Sequence, residues 1–139
     1  MSDCLFCKII QGTLPANKVL DETDILAFLD IRPIHAGHTL VVLKKHTENL
    51  LTTSAEDLRT LVSVLPKLCQ AIQKAMAADG INVGINSGQS AGQIVPHLHL
   101  HIIPRRASAG ARHWERGEYA DGESAKTAEA IRQALKNLP

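Results

Sequence analysis

Apolar positions along the chain alternate with period two in some stretches and recur at helical spacing in others. "KVLDETDILAFLDI" reads as a hairpin: Val19 and Leu20 in one strand, a polar turn over Glu22 to Asp24, and Ile25 to Leu29 in the next. "HTLVVL", from His38 to Leu43, is a continuously apolar third strand, set off by the Pro- and Gly-bearing loop "IRPIHAG". Ser54, with Asp57 three positions on, has the form of a helix cap. Leu58, Leu61, Val62, Leu65, Leu68, Ile72 and Met76 then share one helical face. This spacing predicts an amphipathic helix to about Ala78, stopped at Asp79-Gly80 and kinked or split at Pro66. Cys69, beside the stripe, fits a small buried hydrophobe. "INVGIN" is a fourth strand, residues 97–103 a fifth, and a terminal helix is expected from about Ser124 to Leu138. Hairpin-compatible strands with one main helix make an α+β domain on an antiparallel sheet.

The fifth strand carries the chemistry. In "PHLHLHIIP" the residues His97, His99 and His101 alternate with Leu98, Leu100 and Ile102, so a strand would put three imidazoles on one face, about 6.5 to 7 Å apart, and an apolar ridge on the other. A helix would bring only His97 and His101 together, and the flanking prolines disfavour one. Three readings compete for such a row: a catalytic zinc site, a polar face satisfied by solvent, or nucleophilic attack on phosphorus by a neutral imidazole. Three imidazoles in line converge poorly on one ion. Nucleophilic attack needs a phosphate cradle, and the upstream loop "SGQSAGQIV" offers one: Gly88 and Gly92 admit close approach to backbone N–H groups, while Asn86 and Gln93 bring amides.

Composition narrows the setting. With 139 residues, 45% of them hydrophobic, and a formal charge of +1, the chain suits one core and has no broad basic footprint for nucleic acid. Arg105, Arg106, Arg112 and Arg116 are locally basic and read as a solvated loop. No apolar run has the length of a membrane span, "MSDCLFCKII" lacks a signal-peptide layout, and three cysteines do not suggest a disulfide framework, so a cytoplasmic location is expected.

"GQIVPHLHLHIIPR" resembles the signature of the histidine triad family. "CLFCKIIQGTLPANKVLDETDILAFLDIRPIHAGHTLVVLKKH" is similar to the same family, especially its Hint-type bacterial branch, so the resemblance covers about Cys4 to Arg105. It implies a domain over residues 1–105, with an extension over 106–139. The implied fold is a five-stranded antiparallel sheet with one long helix and a shorter N-terminal helix, continuing across a homodimer. It implies two-step hydrolysis at the α-phosphate of purine nucleoside phosphoramidates or related adenylates. His99 would be the nucleophile, His101 would contact phosphate oxygens and handle protons, and the His97 carbonyl would orient the His99 ring. His38 would join the surrounding relay. The implied ligand is a purine nucleotide of the adenosine monophosphate type, with Asp30 on the ribose hydroxyls and Phe6, Ile9, Leu14, Phe28 and Ile31 around the base. Asn86, Gly92, Gln93 and the backbone of Ile94 would lie at the phosphate. Ile94 stands where several relatives have Ser or Thr, so a hydroxyl contact is missing. Hydrolysis of diadenosine polyphosphates, or a nucleotide-binding scaffold without turnover, are the alternatives.

The pair Cys4 and Cys7 lies too near the start for a strand-preceded redox motif. Some bacterial relatives are similar in joining this pair to two histidines around a structural zinc, and the matching residues are His46 and His97. No organic cofactor is implied. "RHWERG" holds His113 and Trp114, a pair found in the family's short tail, but its spacing from the triad is longer here and no role is carried over.

Overall fold

In the computed structural model, which describes residues 3–110 and 115–139, five strands form one antiparallel sheet in the order β1-β2-β3-β5-β4. The strands are β1 (Lys18–Asp21), β2 (Ile25–Leu29), β3 (Thr39–Leu43), β4 (Gly80–Gly84) and β5 (His99–Arg105), and the helices are α1 (Leu5–Gln11), α2 (Ala55–Val62), α3 (Leu65–Met76) and α4 (Glu123–Lys136). No described helix is long and apolar enough to cross a membrane.

The helix expected from Ser54 to Ala78 is split. Ser54 caps α2 by accepting from the Asp57 N–H at 3.0 Å. Pro66 lies in the first turn of α3, where its missing N–H costs no helical bond. A proline that would break one long helix instead begins the second. The chain leaves α3 at Ala77, whose φ of 52° is in the left-handed region, so the stop comes before Asp79-Gly80 and Gly80 opens β4. β5 also departs from expectation, because its ladder starts at His99. His97 precedes it, with its N–H on the Val95 carbonyl at 2.8 Å, while the Leu98 N–H pairs with the Thr47 carbonyl at 2.8 Å. The alternation survives this irregular start. Leu98, Leu100 and Ile102 enter one core, and the three histidines face the other way. Pro104 ends the apolar part of β5 past the last β3 pairing, Thr39 with Ile102, where its lack of a donor interrupts nothing on that side.

Two apolar clusters sandwich the sheet. On one face Ala27, Leu29, Val41, Leu43, Leu100 and Ile102 pack on Leu61, Leu68 and Ile72 of α2 and α3. Ala128 and Ile131 of α4 are fully buried in the same cluster, so the last helix of the segment beyond residue 105 is part of this core. On the other face Leu26, Phe28, Leu40 and Val42 meet Cys4, Phe6, Cys7 and Ile9 of the α1 region. Because α1 is short, it covers only part of that face, and the histidine row lies beside it.

Replacing Ile131 by alanine should therefore destabilise the protein by about 2 to 5 kcal/mol in urea unfolding. The same truncation at the exposed Leu51 should stay within about 0.5 kcal/mol.

Candidate functional site

The three histidines share a face, yet each ring is held by a different partner. His99 Nδ1 lies 2.7 Å from the His97 carbonyl, which can only accept, so Nδ1 carries the proton and Nε2 the lone pair. Phe6 of α1 braces this ring edge-on, with centroids 5.0 Å apart. His97 Nε2 donates to the Leu43 carbonyl at 2.8 Å, which leaves Nδ1 as its lone-pair nitrogen. His38, one residue before β3, accepts the Ile34 N–H at Nδ1 (3.1 Å), so its Nε2 is protonated and donates to His101 Nδ1 at 2.9 Å. That bond in turn puts the His101 proton on Nε2. A chain of two neutral imidazoles thus runs alongside a third whose Nε2 lone pair is uncommitted to this network.

Burial explains the neutrality. His38, His97, His99 and His101 are all buried, and desolvation disfavours the charged imidazolium at each. Burial lowers His38 to about 4 and His101 to about 3, the latter helped by its neighbours His99 and His38. His97 and His99 are lowered as well, although the hydrogen bonds to Leu43 and His97 partly oppose burial.

Asp30, just after β2, stands at one end of the row. Its Oδ1 accepts the Arg32 N–H at 2.9 Å, and its Oδ2 takes the Arg116 guanidinium at 2.6 Å and lies 3.7 Å from His38 Nε2. Asp30, His38 and His101 are close enough together to suggest a cation site. They do not form one, because the lone pair of His101 Nδ1 is already taken by the His38 proton and Arg116 places a positive charge on the carboxylate. The tail that delivers Arg116 is pinned just after it. Gly117 N–H bonds the Pro33 carbonyl at 2.7 Å, and the Tyr119 hydroxyl accepts the Gly37 N–H at 2.9 Å. Sequence reasoning placed Arg116 in a solvated basic loop. Its partner lies 86 positions away, and no local pattern signals the pairing. His113 and Trp114 fall outside the described residues.

The loop from Ser87 to Val95 is built around Gln93. Its Oε1 accepts the Gly88 N–H at 2.8 Å and its Nε2 donates to the carbonyls of Glu48 (2.8 Å) and Val95 (3.0 Å), so both amide hydrogens are committed, one within the loop and one to the segment after β3. Gly92 has φ of 96°, and a Cβ there would sit 3.5 Å from the Asn86 amide. Ile94 is 80% exposed and lines a cleft of about 520 Å³ with Glu48, Gly88, Gly92 and Gln93. Of the apolar residues placed around a base, Phe6, Ile9 and Phe28 are buried in one cluster with Leu14 against it. Ile31 is apart from them, 79% exposed, because it follows the turn-forming Asp30 rather than continuing β2.

At the opposite end of the row, Cys4, Cys7, His46 and His97 converge. His97 Nδ1 lies 3.4 Å from Cys4 Sγ, 3.6 Å from Cys7 Sγ and 3.1 Å from His46 Nδ1, while Cys7 Sγ lies 3.4 Å from His46 Nδ1. A tetrahedron with zinc–sulfur bonds of about 2.3 Å and zinc–nitrogen bonds of about 2.0 Å has edges of roughly 3.3 Å between nitrogens and roughly 3.5 Å between nitrogen and sulfur. The donor set and its spacing fit that ion. Burial and the adjacent Cys4 raise the Cys7 thiol, a penalty that a bound cation would reverse.

A family model described as the HIT domain matches residues 11–108. Protein hit of Bacillus subtilis is 44% identical over 103 residues, covering 74% of this chain and 71% of that protein. Adenylylsulfatase HINT3 of Arabidopsis thaliana is 35% identical over 144 residues, covering 99% of this chain and 72% of that protein. Among solved structures, a zinc-bound histidine triad family protein from Mycobacterium smegmatis aligns with a TM-score of 0.87 at 35% identity, over 97% of this chain and 94% of that one.

The buried neutral pair makes stability depend on pH in a definite direction. Above the ordinary histidine pKa of about 6.5 both folded and unfolded states hold the rings neutral. As pH falls from there toward 4, the unfolded chain takes up protons that folded His38 and His101 refuse, and stability is lost. Urea unfolding between pH 7.5 and 4.5 should show this decline, and His38→Asn should reduce its slope by up to about 1.4 kcal/mol per pH unit.

Proposed function

The chain belongs to the HIT-domain family, and from that premise we propose that it hydrolyses purine nucleoside phosphoramidates or related adenylates at the α-phosphate, as a member of the Hint-type branch. The observation that carries this reading is the short bond from His99 to the His97 carbonyl, which leaves the His99 Nε2 lone pair ready for attack.

In the first step His99 Nε2 bonds to the α-phosphorus while the bond to the leaving group breaks, and the leaving amine departs with that electron pair and a proton taken from solvent. The new nucleotidyl-imidazole retains its Nδ1 proton and a positive charge, which the His97 carbonyl stabilises. In the second step water attacks phosphorus and gives up a proton to solvent, the P–N bond breaks, and its electron pair returns to His99. The protonated Nε2 of His101, held in that tautomer by His38, is suited to donate to a phosphoryl oxygen. The loop around Gly88 and Gly92, with Asn86 beside it, would cradle the phosphate, and Asp30 would accept the ribose hydroxyls. The Arabidopsis relative's name, adenylylsulfatase, supports adenylyl chemistry, whereas the exposed Ile94 gives the leaving-group side an apolar wall.

Cys4, Cys7, His46 and His97 would hold a structural zinc, and the Mycobacterium smegmatis protein supports this by being zinc-bound. The ion would tie α1 to the start of the histidine strand and so steady the carbonyl on which His99 depends. A homodimer belongs to the same reading. The β1 edge is capped by Arg132 of α4 on the Lys18 carbonyl at 2.6 Å, whereas β4 is an edge with Asn82 and Val83 exposed.

Purified protein should release adenosine monophosphate from its amide, and His99→Ala should lower the rate by at least about 1,000-fold without altering the fold. A His99→Ala variant that retains most activity would refute the mechanism. Metal analysis should find one zinc per chain, and Cys4→Ser combined with Cys7→Ser should lose the metal and lower the melting temperature. Equal zinc content in the double variant would remove the cluster as its site.

A further inference from the structure

The described part of the tail brings one strongly charged group to the histidine face, and it comes from outside residues 11–108, the span of the family match. Arg116 makes two contacts there through Nη1: 2.6 Å to Asp30 Oδ2 and 3.1 Å to the Arg32 carbonyl. Asp30 is thereby held from both sides, since its Oδ1 takes the Arg32 N–H at 2.9 Å. A carboxylate offers about four lone-pair sites, so one remains on each oxygen. Two acceptor sites, one per oxygen of a fixed carboxylate, match a pair of neighbouring hydroxyls on a sugar ring.

The same tail shapes the surroundings. Glu118, Tyr119 and Ser124 face Asn17, Asp30 and Arg32 across a cavity of about 340 Å³, within the size range of small-ligand sites. Asn17 Nδ2 donates to Ser124 Oγ at 3.1 Å, closing one side. Without Arg116, Asp30 Oδ2 would keep only the 3.7 Å approach to His38 Nε2, whose proton is given to His101. The carboxylate would then be held at Oδ1 alone, and its orientation toward a ligand would no longer be fixed.

We propose that Arg116 is a positioning and specificity-determining residue: by fixing the Asp30 carboxylate, it makes the site select nucleotides with both ribose hydroxyls over 2′-deoxynucleotides. This rests on the nucleotide reading above. It assigns to the chain's own tail a role that the matched domain does not contain.

The test is calorimetric titration of the full chain with adenosine monophosphate and with its 2′-deoxy analogue, comparing wild type, Arg116→Ala, Arg116→Lys and Asp30→Asn. Wild type should prefer the ribonucleotide. Arg116→Ala should bind it about tenfold more weakly while its affinity for the deoxynucleotide stays within about twofold. Arg116→Lys should recover part of the preference, and Asp30→Asn should abolish it. An Arg116→Ala variant that binds the ribonucleotide as well as or better than wild type would overturn the proposal, as would equal weakening of both ligands. A wild type that binds both nucleotides without preference overturns it too. If wild type binds neither nucleotide, the nucleotide reading itself falls; if wild type discriminates and Arg116→Ala discriminates equally, only the role of Arg116 falls. Should Arg116→Ala fold poorly, the folded Arg116→Lys variant decides: a reduced preference supports the proposal, and a preference equal to wild type overturns it.

Discussion

The bond from His99 Nδ1 to the His97 carbonyl is the contact on which the rest of the site depends. It spans only two residues, but it demands that the backbone at His97 be held in place. Three ties do this: the His97 N–H to Val95, the His97 ring to the Leu43 carbonyl, and the Leu98 N–H to Thr47. Together they anchor the irregular entry to β5 onto the end of β3. The sheet ladder alone could not, because regular pairing begins at His99.

His97 therefore has two roles at once. Its carbonyl orients the ring of His99, while its Nδ1 faces Cys4, Cys7 and His46 at distances suited to a tetrahedral ion. The division is physically consistent, since the carbonyl and the ring nitrogen are separate groups on one fixed residue. It also explains why three imidazoles in a row do not converge on one point. His97 turns to the sulfur cluster, His99 to its neighbour's backbone, and His101 to His38.

Electrostatics follow from packing. The histidines lie beside α1, with Phe6 against His97 and His99, and are buried too deeply to hold imidazolium, so the row is neutral and its protons are placed by hydrogen bonds. Of the fixed charges that act on the row, Asp30 and Arg116 pair with each other at its edge, and Arg105 also bears on His38. Charge is thus kept beside the reacting nitrogens rather than among them. The opposite face of the sheet is predominantly apolar and holds the larger core, with α2, α3 and α4 packed over it.

Much of this was legible in local pattern. Alternation in "PHLHLHIIP" placed the imidazoles on one face, because a strand's period of two is independent of what packs on it. The hairpin from Lys18 to Leu29, the cap at Ser54, and the break at Pro66 likewise depend on neighbours within a few residues. The cluster of Cys4, Cys7, His46 and His97 was visible only through family likeness, since its members are spread over 93 positions. Tertiary structure alone decided which ring partners which, that Ile31 would be exposed while Phe6 and Phe28 are buried, and that Arg116 would reach Asp30. The ring pairings depend on how β3 and β5 align, the burial of Phe6 and Phe28 on how α1 packs, and the reach of Arg116 on how the tail returns across the sheet. A side chain's long-range partner is set by the packing of whole elements, and the spacing of residues along the chain does not encode it.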